Sequence, residues 1–401
     1  MTEVADQSLS SFPMPRNCPF DPPRRYRELR EQAPVSRVTL PSGRAAWLLT
    51  RHEDVRTVLT DPRFSSDRAH PNFPMLIAGR LVTNVTPSMV GMDPPEHARA
   101  RGEVVGEFTV KRMRALRPRL QEIVDERIDA LLAGPRPADL VRALSLPVPS
   151  LVICELLGVP YADHDFFQLR SSRLLSHSVT AEQRQSALDE LRSYLDELIT
   201  VKERDPGEDL LGRQIRRQRE NGAGDHAALV GLALLLLIAG HETTANMISL
   251  GTVALLENPE QLAAIRDDPE RTPGAVEELL RYFSIADIAV ARTAKADAEI
   301  GGVRIPSGDG VLALVNAANH DPAAFDDPDS LDVGRATRHH VAFGFGVHQC
   351  LGQHLARAEL QVVFDTLFRR VPGLRLAATV DELRFKHDGT AYGLYELPVT
   401  W

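Results

Sequence analysis

The strongest pattern along the chain is a run that is apolar on every side, Leu229 to Gly240, inside a helical stretch readable from about Asp225 to Asn258. A helix that is apolar all round belongs inside a core rather than on a surface. Pro259 ends the stretch, which at 1.5 Å per residue extends on the order of 50 Å, enough to cross the whole molecule. Into this run the chain inserts Gly240, His241, Glu242, Thr243 and Thr244. Another helix start is marked by Asp93 as a cap, Pro94 in the first turn and Glu96 at the capping-box position. Four residues apart and so on one face of that helix lie His97 and Arg101. Short β-like stretches near Ala46 to Thr50, at Ile300 to Leu314 and toward the C-terminus predict small strands. The fold class expected is mainly α, a helix-dominated α+β chain. No linker tract or internal repeat divides the 401 residues, so a single domain over 1–401 is expected.

Composition removes several function classes. With 43% hydrophobic and 25% charged residues the chain has ample material for a large core. A net charge of -9 argues against a generic nucleic-acid binder, which needs a basic surface. The apolar run of about 12 residues falls short of the roughly 20 that span a bilayer. MTEVADQSLSS shows no signal peptide or anchor, so a cytoplasmic protein without a membrane is expected. Cys18, Cys154 and Cys350 form no disulfide framework, CxxC pair or zinc spacing. Any cysteine chemistry must come from a single thiol.

That thiol is singled out by Phe343-Gly344-Phe345-Gly346-Val347-His348-Gln349-Cys350-Leu351-Gly352. Gly344 and Gly346 permit a tight loop with close backbone approach to a flat cofactor, and Gly352 does the same beyond the cysteine. The helical pattern from Leu351 aims its positive end at the sulfur, which favours a metal-binding thiolate. A lone cysteine is more often a small buried hydrophobe. This segment, however, resembles the haem-binding loop of the cytochrome P-450 family, Phe-x-x-Gly-x-x-x-Cys-x-Gly. The resemblance spans nearly the whole chain and is strongest to soluble actinobacterial members that oxidise macrolides, other secondary metabolites and xenobiotics.

The resemblance implies a triangular, helix-rich fold with a long central helix over haem b, iron protoporphyrin IX, ligated by Cys350. It implies a monooxygenase that hydroxylates a bulky hydrophobic small molecule with dioxygen and two electrons. A mid-helix threonine by itself usually bonds back to the carbonyl four residues earlier. In Ala239-Gly240-His241-Glu242-Thr243-Thr244 the resemblance makes Thr243 the hydrogen-bond partner of bound oxygen and Glu242 its proton feed. Gly240 would leave room for the oxygen, and Ala239 would border both cofactor and substrate. His97, Arg101, Arg292 and His348 would hold the haem propionates, with Phe343, Gly344 and Gly352 against the ring. Glu278 and Arg281 of the Glu-x-x-Arg pair, completed by Arg335, would form a buried structural network.

Lys111, Arg112, Arg114, Arg117 and Arg119, with Arg338, His339 and His340, make a basic cluster in an acidic chain. By charge pattern alone it reads as a solvated face. The resemblance implies that it docks an acidic ferredoxin served by an NAD(P)H-dependent reductase, with the enzyme a monomer. Substrate contacts are expected from His70 to Met92, Phe166 to Ser186, Leu235, Leu236, Ala239, Ile285 to Val290 and Thr390 to Leu394. Within these lie Val82, Ile288, Ala289, Val290 and Tyr392, with Arg80 either an anchor for a polar substituent or an exposed loop cation. A gas-sensing haem protein would need no acid-alcohol pair. A cysteine hydrolase would place its base poorly, since His348 is two residues from Cys350 on one loop.

Overall fold

The computed structural model describes residues 10–76, 88–175, 178–222, 224–287, 290–387 and 389–401. Its first segment alternates short elements: β1 (Ser10–Ser11), α1 (Arg24–Gln32), β2 (Val35–Thr39), β3 (Ala45–Leu49), α2 (His52–Thr60) and β4 (Phe64–Ser65). Helix then dominates, with α3 (Glu96–Val104), α4 (Val110–Ala133), a short β5 (Ala138–Asp139), α5 (Pro147–Leu157) and α6 (His164–Leu175). After these come α7 (Ala181–Arg204), α8 (Leu210–Glu220), α9 (His226–Glu257), α10 (Pro259–Asp267) and α11 (Thr272–Phe283). The chain closes with β6 (Ala291–Ala294), β7 (Ala298–Ile300), β8 (Val303–Ile305), β9 (Gly310–Ala313), α12 (Val315–Asn319), α13 (Gln353–Arg370), β10 (Arg375–Leu376) and β11 (Pro398–Thr400). This is the helix-dominated architecture that the periodicity predicts.

The central helix α9 starts where its cap lies, the Asp225 carboxylate accepting the Ala228 N–H at 2.9 Å. It ends at Asn258, and Pro259 opens α10, because proline lacks only an N–H that the first turn does not use. By length and composition α9 could cross a membrane. Here α5, α7, α11 and α13 pack around it, and from Thr244 to Leu255 every residue is buried. Gly251 permits the contact with α13, since a Cβ there would come within 2.6 Å of Phe364.

A mixed six-stranded sheet runs β1-β2-β3-β9-β6-β4. Neither β2 nor β6 stands out in the sequence. All four residues of β6 are buried, which erases the alternation that marks a half-exposed strand. The omission matters because β6 carries Arg292, paired in register with Val311 of β9.

The Asp93 expectation requires correction. Two consecutive prolines delay α3 to Glu96, its N-cap is Pro95, and no side chain caps it. Asp93 instead ties this corner to the sheet. Its carboxylate accepts from the Ser65 hydroxyl at 2.7 Å, the Ser66 N–H at 2.8 Å and Lys295 Nζ at 3.1 Å.

Behind α9, Glu278 and Arg281 on α11 are fully buried and joined by two 2.8 Å bonds. Arg281 also donates to the carbonyls of Asn319 and Pro328, at 2.7 and 2.8 Å. Arg335 reaches the same Glu278 oxygen at 3.1 Å. Every charge in this cluster is met, so its value lies in the cost of breaking it. Arg281→Met should lower the unfolding free energy in denaturant titration by about 3–5 kcal/mol, because Glu278 is left charged and buried. Arg335→Met, at a partly exposed position, should cost less, and equal losses would contradict this reading.

Candidate active site

One cavity of about 340 Å³ lies between α9, α3, the segment after β4, the start of β6 and the Cys350 loop. Its floor is made by that loop. The Cys350 N–H donates to the Phe343 carbonyl at 2.8 Å, closing the turn. Gly344 and Gly346 take φ values of +69° and +72°, which side chains rarely adopt. A Cβ on Gly346 would also strike the Leu59 carbonyl oxygen at 2.6 Å.

Gly352 behaves differently from its expectation. It takes an ordinary φ of -82°, and a Cβ there would meet no protein atom within 4 Å. It borders the cavity, so the space it keeps open is ligand space and not room for a strained turn.

Cys350 opens onto this cavity and is otherwise enclosed. Burial pushes its thiol up, while the N–H groups of Gly352 and Gln353 and the charges of Arg101 and Arg357 pull it down. The helix start thus contributes as the sequence implies, but burial outweighs it. A bound metal reverses the balance, since a coordinating thiol is deprotonated outright.

Two imidazoles and two guanidiniums converge at the cavity beside the floor. The His97 and His348 rings lie 4.0 Å apart. Arg292, on buried β6, donates to its neighbour's carbonyl at 2.7 Å and is pulled down to about 10 by burial, against the pull of Asp93. His348 is driven down to about 3 by burial and then by Arg292 and His97. Burial, and to a lesser degree neighbouring cations, lowers His97, while burial lowers Arg101 against Cys350. Such groups side by side in a low-dielectric cavity call for an anion. Two carboxylates beside a flat ring, over a thiol floor, satisfy the donor set and the open space at Gly352, so the residues fit haem.

On α9 the cavity wall includes Leu235, Leu236, Ala239, Gly240, Thr243 and Thr244. The Thr243 hydroxyl donates to the Ala239 carbonyl at 3.0 Å, the back-bond usual for mid-helix threonine. Glu242 faces away from the cavity. It is buried and held by Lys386 Nζ at 2.5 Å, and Lys386 also donates to Asn246 Oδ1 at 3.0 Å. The missing Cβ of Gly240 faces Ile153 of α5 at 3.0 Å, so this glycine eases helix packing as well as bordering the cavity.

Of the expected substrate contacts, Leu235, Leu236, Ala239 and Val290 line the cavity, and the segments His70 to Met92 and Ile285 to Val290 add Phe73, Met89, Val90, Ile285 and Ala286. Tyr392 does not; it is buried, stacks on Phe385 and donates to the Pro19 carbonyl at 2.9 Å. The segments Phe166 to Ser186 and Thr390 to Leu394 contribute no lining residue among the described residues. Arg80, Val82, Ile288 and Ala289 lie outside the described residues. The basic cluster also divides. Lys111, Arg112, Arg114 and Arg117 of α4 are exposed, whereas His340 is buried against Glu277 at 3.1 Å and His339 stacks on Phe325.

Two charged cavity residues escape sequence reasoning. Glu359 sits on α13, 1% exposed, with neither carboxyl oxygen hydrogen-bonded. Burial pushes it up to about 8. Arg68, in a polar stretch after β4, also lines the cavity. A glutamate amid the apolar positions of α13 is a faint signal; an arginine in a loop is none.

A family model described as cytochrome P-450 matches residues 163–371. Pentalenic acid synthase of Streptomyces avermitilis is 53% identical, over 98% of this chain and 97% of that protein. Vitamin D3 dihydroxylase of Streptomyces griseolus is 50% identical, again over 98% and 97%. Among solved structures, cytochrome P-450 MoxA from Nonomuraea recticatena superposes with a TM-score of 0.91 at 58% identity, covering 98% of each chain.

The buried acid yields a pH prediction. From 4.5 up to about 8 the unfolded chain has released the Glu359 proton while the folded protein keeps it. The unfolded state then binds fewer protons, so stability falls as pH rises across that window. Glu359→Gln removes the slope. Its unfolding free energy should exceed the wild type's by more at pH 8 than at pH 5, the two gains differing by on the order of a few kcal/mol at most; identical gains at both pH values would refute the assignment.

Proposed function

The chain belongs to the cytochrome P-450 family of monooxygenases, and from that membership we propose that Cys350 ligates haem b in an enzyme that hydroxylates an apolar secondary metabolite or xenobiotic. The observation that carries this reading is the convergence of Cys350, His97, His348, Arg101 and Arg292 on one cavity whose opposite wall is α9. Haem iron with a thiolate ligand supplies the activation of dioxygen and the insertion of one oxygen atom into a C–H bond.

The chain's own residues do the rest. Cys350 would hold the iron through its electron-rich sulfur, which the closed loop and the N–H groups at the start of α13 position. Arg101 and Arg292 would neutralise the two propionates, and His97 and His348 would orient them by hydrogen bonding. Phe343, Gly344 and Gly352 bound the ring. Leu235, Leu236, Ala239 and Val290 exclude water and present an apolar wall to the substrate. Thr243 donates its hydroxyl proton to a ligand only by releasing the Ala239 carbonyl, a small rotation within the cavity. Glu242 would re-supply that proton once its carboxylate has left Lys386 and taken up a proton from solvent, so the acid of the pair acts through movement. Glu278, Arg281 and Arg335 hold the scaffold behind α11.

Electrons come from a ferredoxin reduced by an NAD(P)H-dependent reductase. The exposed cations of α4 support this, since opposite charge steers an acidic partner. The enzyme works as a single-domain, cytoplasmic monomer.

The ferrous carbon monoxide spectrum is the direct test. A thiolate-ligated haem gives a strongly red-shifted Soret band, and Cys350→Ala should abolish it; retention of the shifted band in that variant would remove Cys350 as the ligand. Thr243→Ala should keep the band but consume NAD(P)H without matching product. Wild-type product yield per NAD(P)H in that variant would overturn the proton role.

A further inference from the structure

We propose that Arg357 sets the reduction potential of the haem, its fixed charge beside the Cys350 loop favouring the ferrous form; this rests on the monooxygenase reading above. The guanidinium is held on three sides. Its Nε and one terminal nitrogen donate to the two Glu277 oxygens of α11, at 2.6 and 3.0 Å. The other terminal nitrogen donates to the Gln353 side-chain oxygen at 2.9 Å and to the Gln353 carbonyl at 3.3 Å. Its centre lies 4.5 Å from that of the Phe343 ring. Phe343 and Gln353 are also the sulfur's own support. The Phe343 carbonyl accepts the Cys350 N–H, and the Gln353 N–H donates toward the sulfur. Against its burial, His340 and Arg357 hold Glu277 down at about 2, so the clamp is a permanent anion.

Charge at the sulfur gives this placement its consequence. Arg357 acts on Cys350 as a positive charge, while the Glu277 carboxylate is not among the leading influences there. Arg101 acts on the sulfur too, but in the reading above a propionate offsets it. Arg357 is thus the lasting cation beside the loop. The step it affects is the passage of one electron from reduced ferredoxin to ferric haem, which becomes ferrous as the ferredoxin is oxidised. That electron adds negative charge above a thiolate. A nearby cation stabilises the addition, and does so more strongly inside protein than in water. A guanidinium keeps its proton, so the contribution is constant across the working pH range.

The test is a redox titration of haem-loaded, substrate-free protein with dithionite and dye mediators, ferredoxin absent, and the carbon monoxide spectrum taken on the same samples. Arg357→Gln should shift the equilibrium toward ferric haem by about three- to tenfold, a midpoint lower by up to ~59 mV for one electron. Arg357→Lys keeps the charge and should restore most of that loss. Glu277→Gln breaks the same ion pair from its other side and should move the midpoint upward. A clamp that serves only to join α11 to α13 shows no such reversal of sign: variants that both shift downward, or neither of which shifts, overturn the proposal. An unchanged midpoint with weaker ferredoxin binding would make Arg357 a docking residue, which also overturns it. If Arg357→Gln fails to retain haem, Glu277→Gln decides alone, a raised midpoint supporting the proposal and an unchanged or lowered one defeating it. A normal thiolate band in the wild type with unmoved midpoints in the variants defeats this proposal only, whereas a missing band in the wild type defeats the monooxygenase reading itself.

Discussion

A sulfur enclosed by protein at the floor of an apolar cavity is the constraint around which the molecule is arranged. Burial alone would keep Cys350 a thiol, and the two N–H groups at the start of α13 and the charges of Arg101 and Arg357 do not overcome it. Only a cation directly above the sulfur makes the anion the stable form. The loop is accordingly rigid where the sulfur must be placed, through two left-handed glycines and the bond to the Phe343 carbonyl. It is open where a ligand must lie, at Gly352.

From this follows the distribution of charge. Basic groups gather at the cavity from three separate parts of the chain: His97 and Arg101 of α3, Arg292 of β6 and His348 of the cysteine loop. Burial keeps the two imidazoles neutral, whereas the guanidiniums of Arg101 and Arg292 stay charged, and it is these that call for anions. The acids nearby are already committed or discharged. Asp93 is engaged with Ser65, Ser66 and Lys295, and Glu359 is held largely protonated at neutral pH by its surroundings. The cavity is thus a receptor for negative charge within apolar walls.

The long helix divides its polar residues between two environments. Successive positions on a helix point about 100° apart, so Thr243 faces the cavity while Glu242 faces Lys386 near the C-terminus. The pair is adjacent in sequence but not in surroundings, and each member is at rest with a partner of its own. The proton role proposed for this pair would need both to exchange partners, whereas the deeper network of Glu278, Arg281 and Arg335 is satisfied as it stands.

Local chemistry determined much of this from the sequence alone. Unbroken apolarity located α9, Asp225 and Pro259 marked its limits within a residue, and the glycines around Cys350 announced a bent loop. Such signals are legible because capping, proline geometry and positive φ act over a few residues. Tertiary structure decided the rest. It sent the Asp93 carboxylate to the sheet, hid β6 by burying both its faces, turned Tyr392 away from the cavity and brought Lys386 to Glu242. It also made Arg68 and Glu359 cavity residues, although nothing beside them in the chain distinguishes either. Burial and pairing across a hundred or more residues set the charge state and orientation of a side chain, and no local pattern encodes which distant segment will supply its partner.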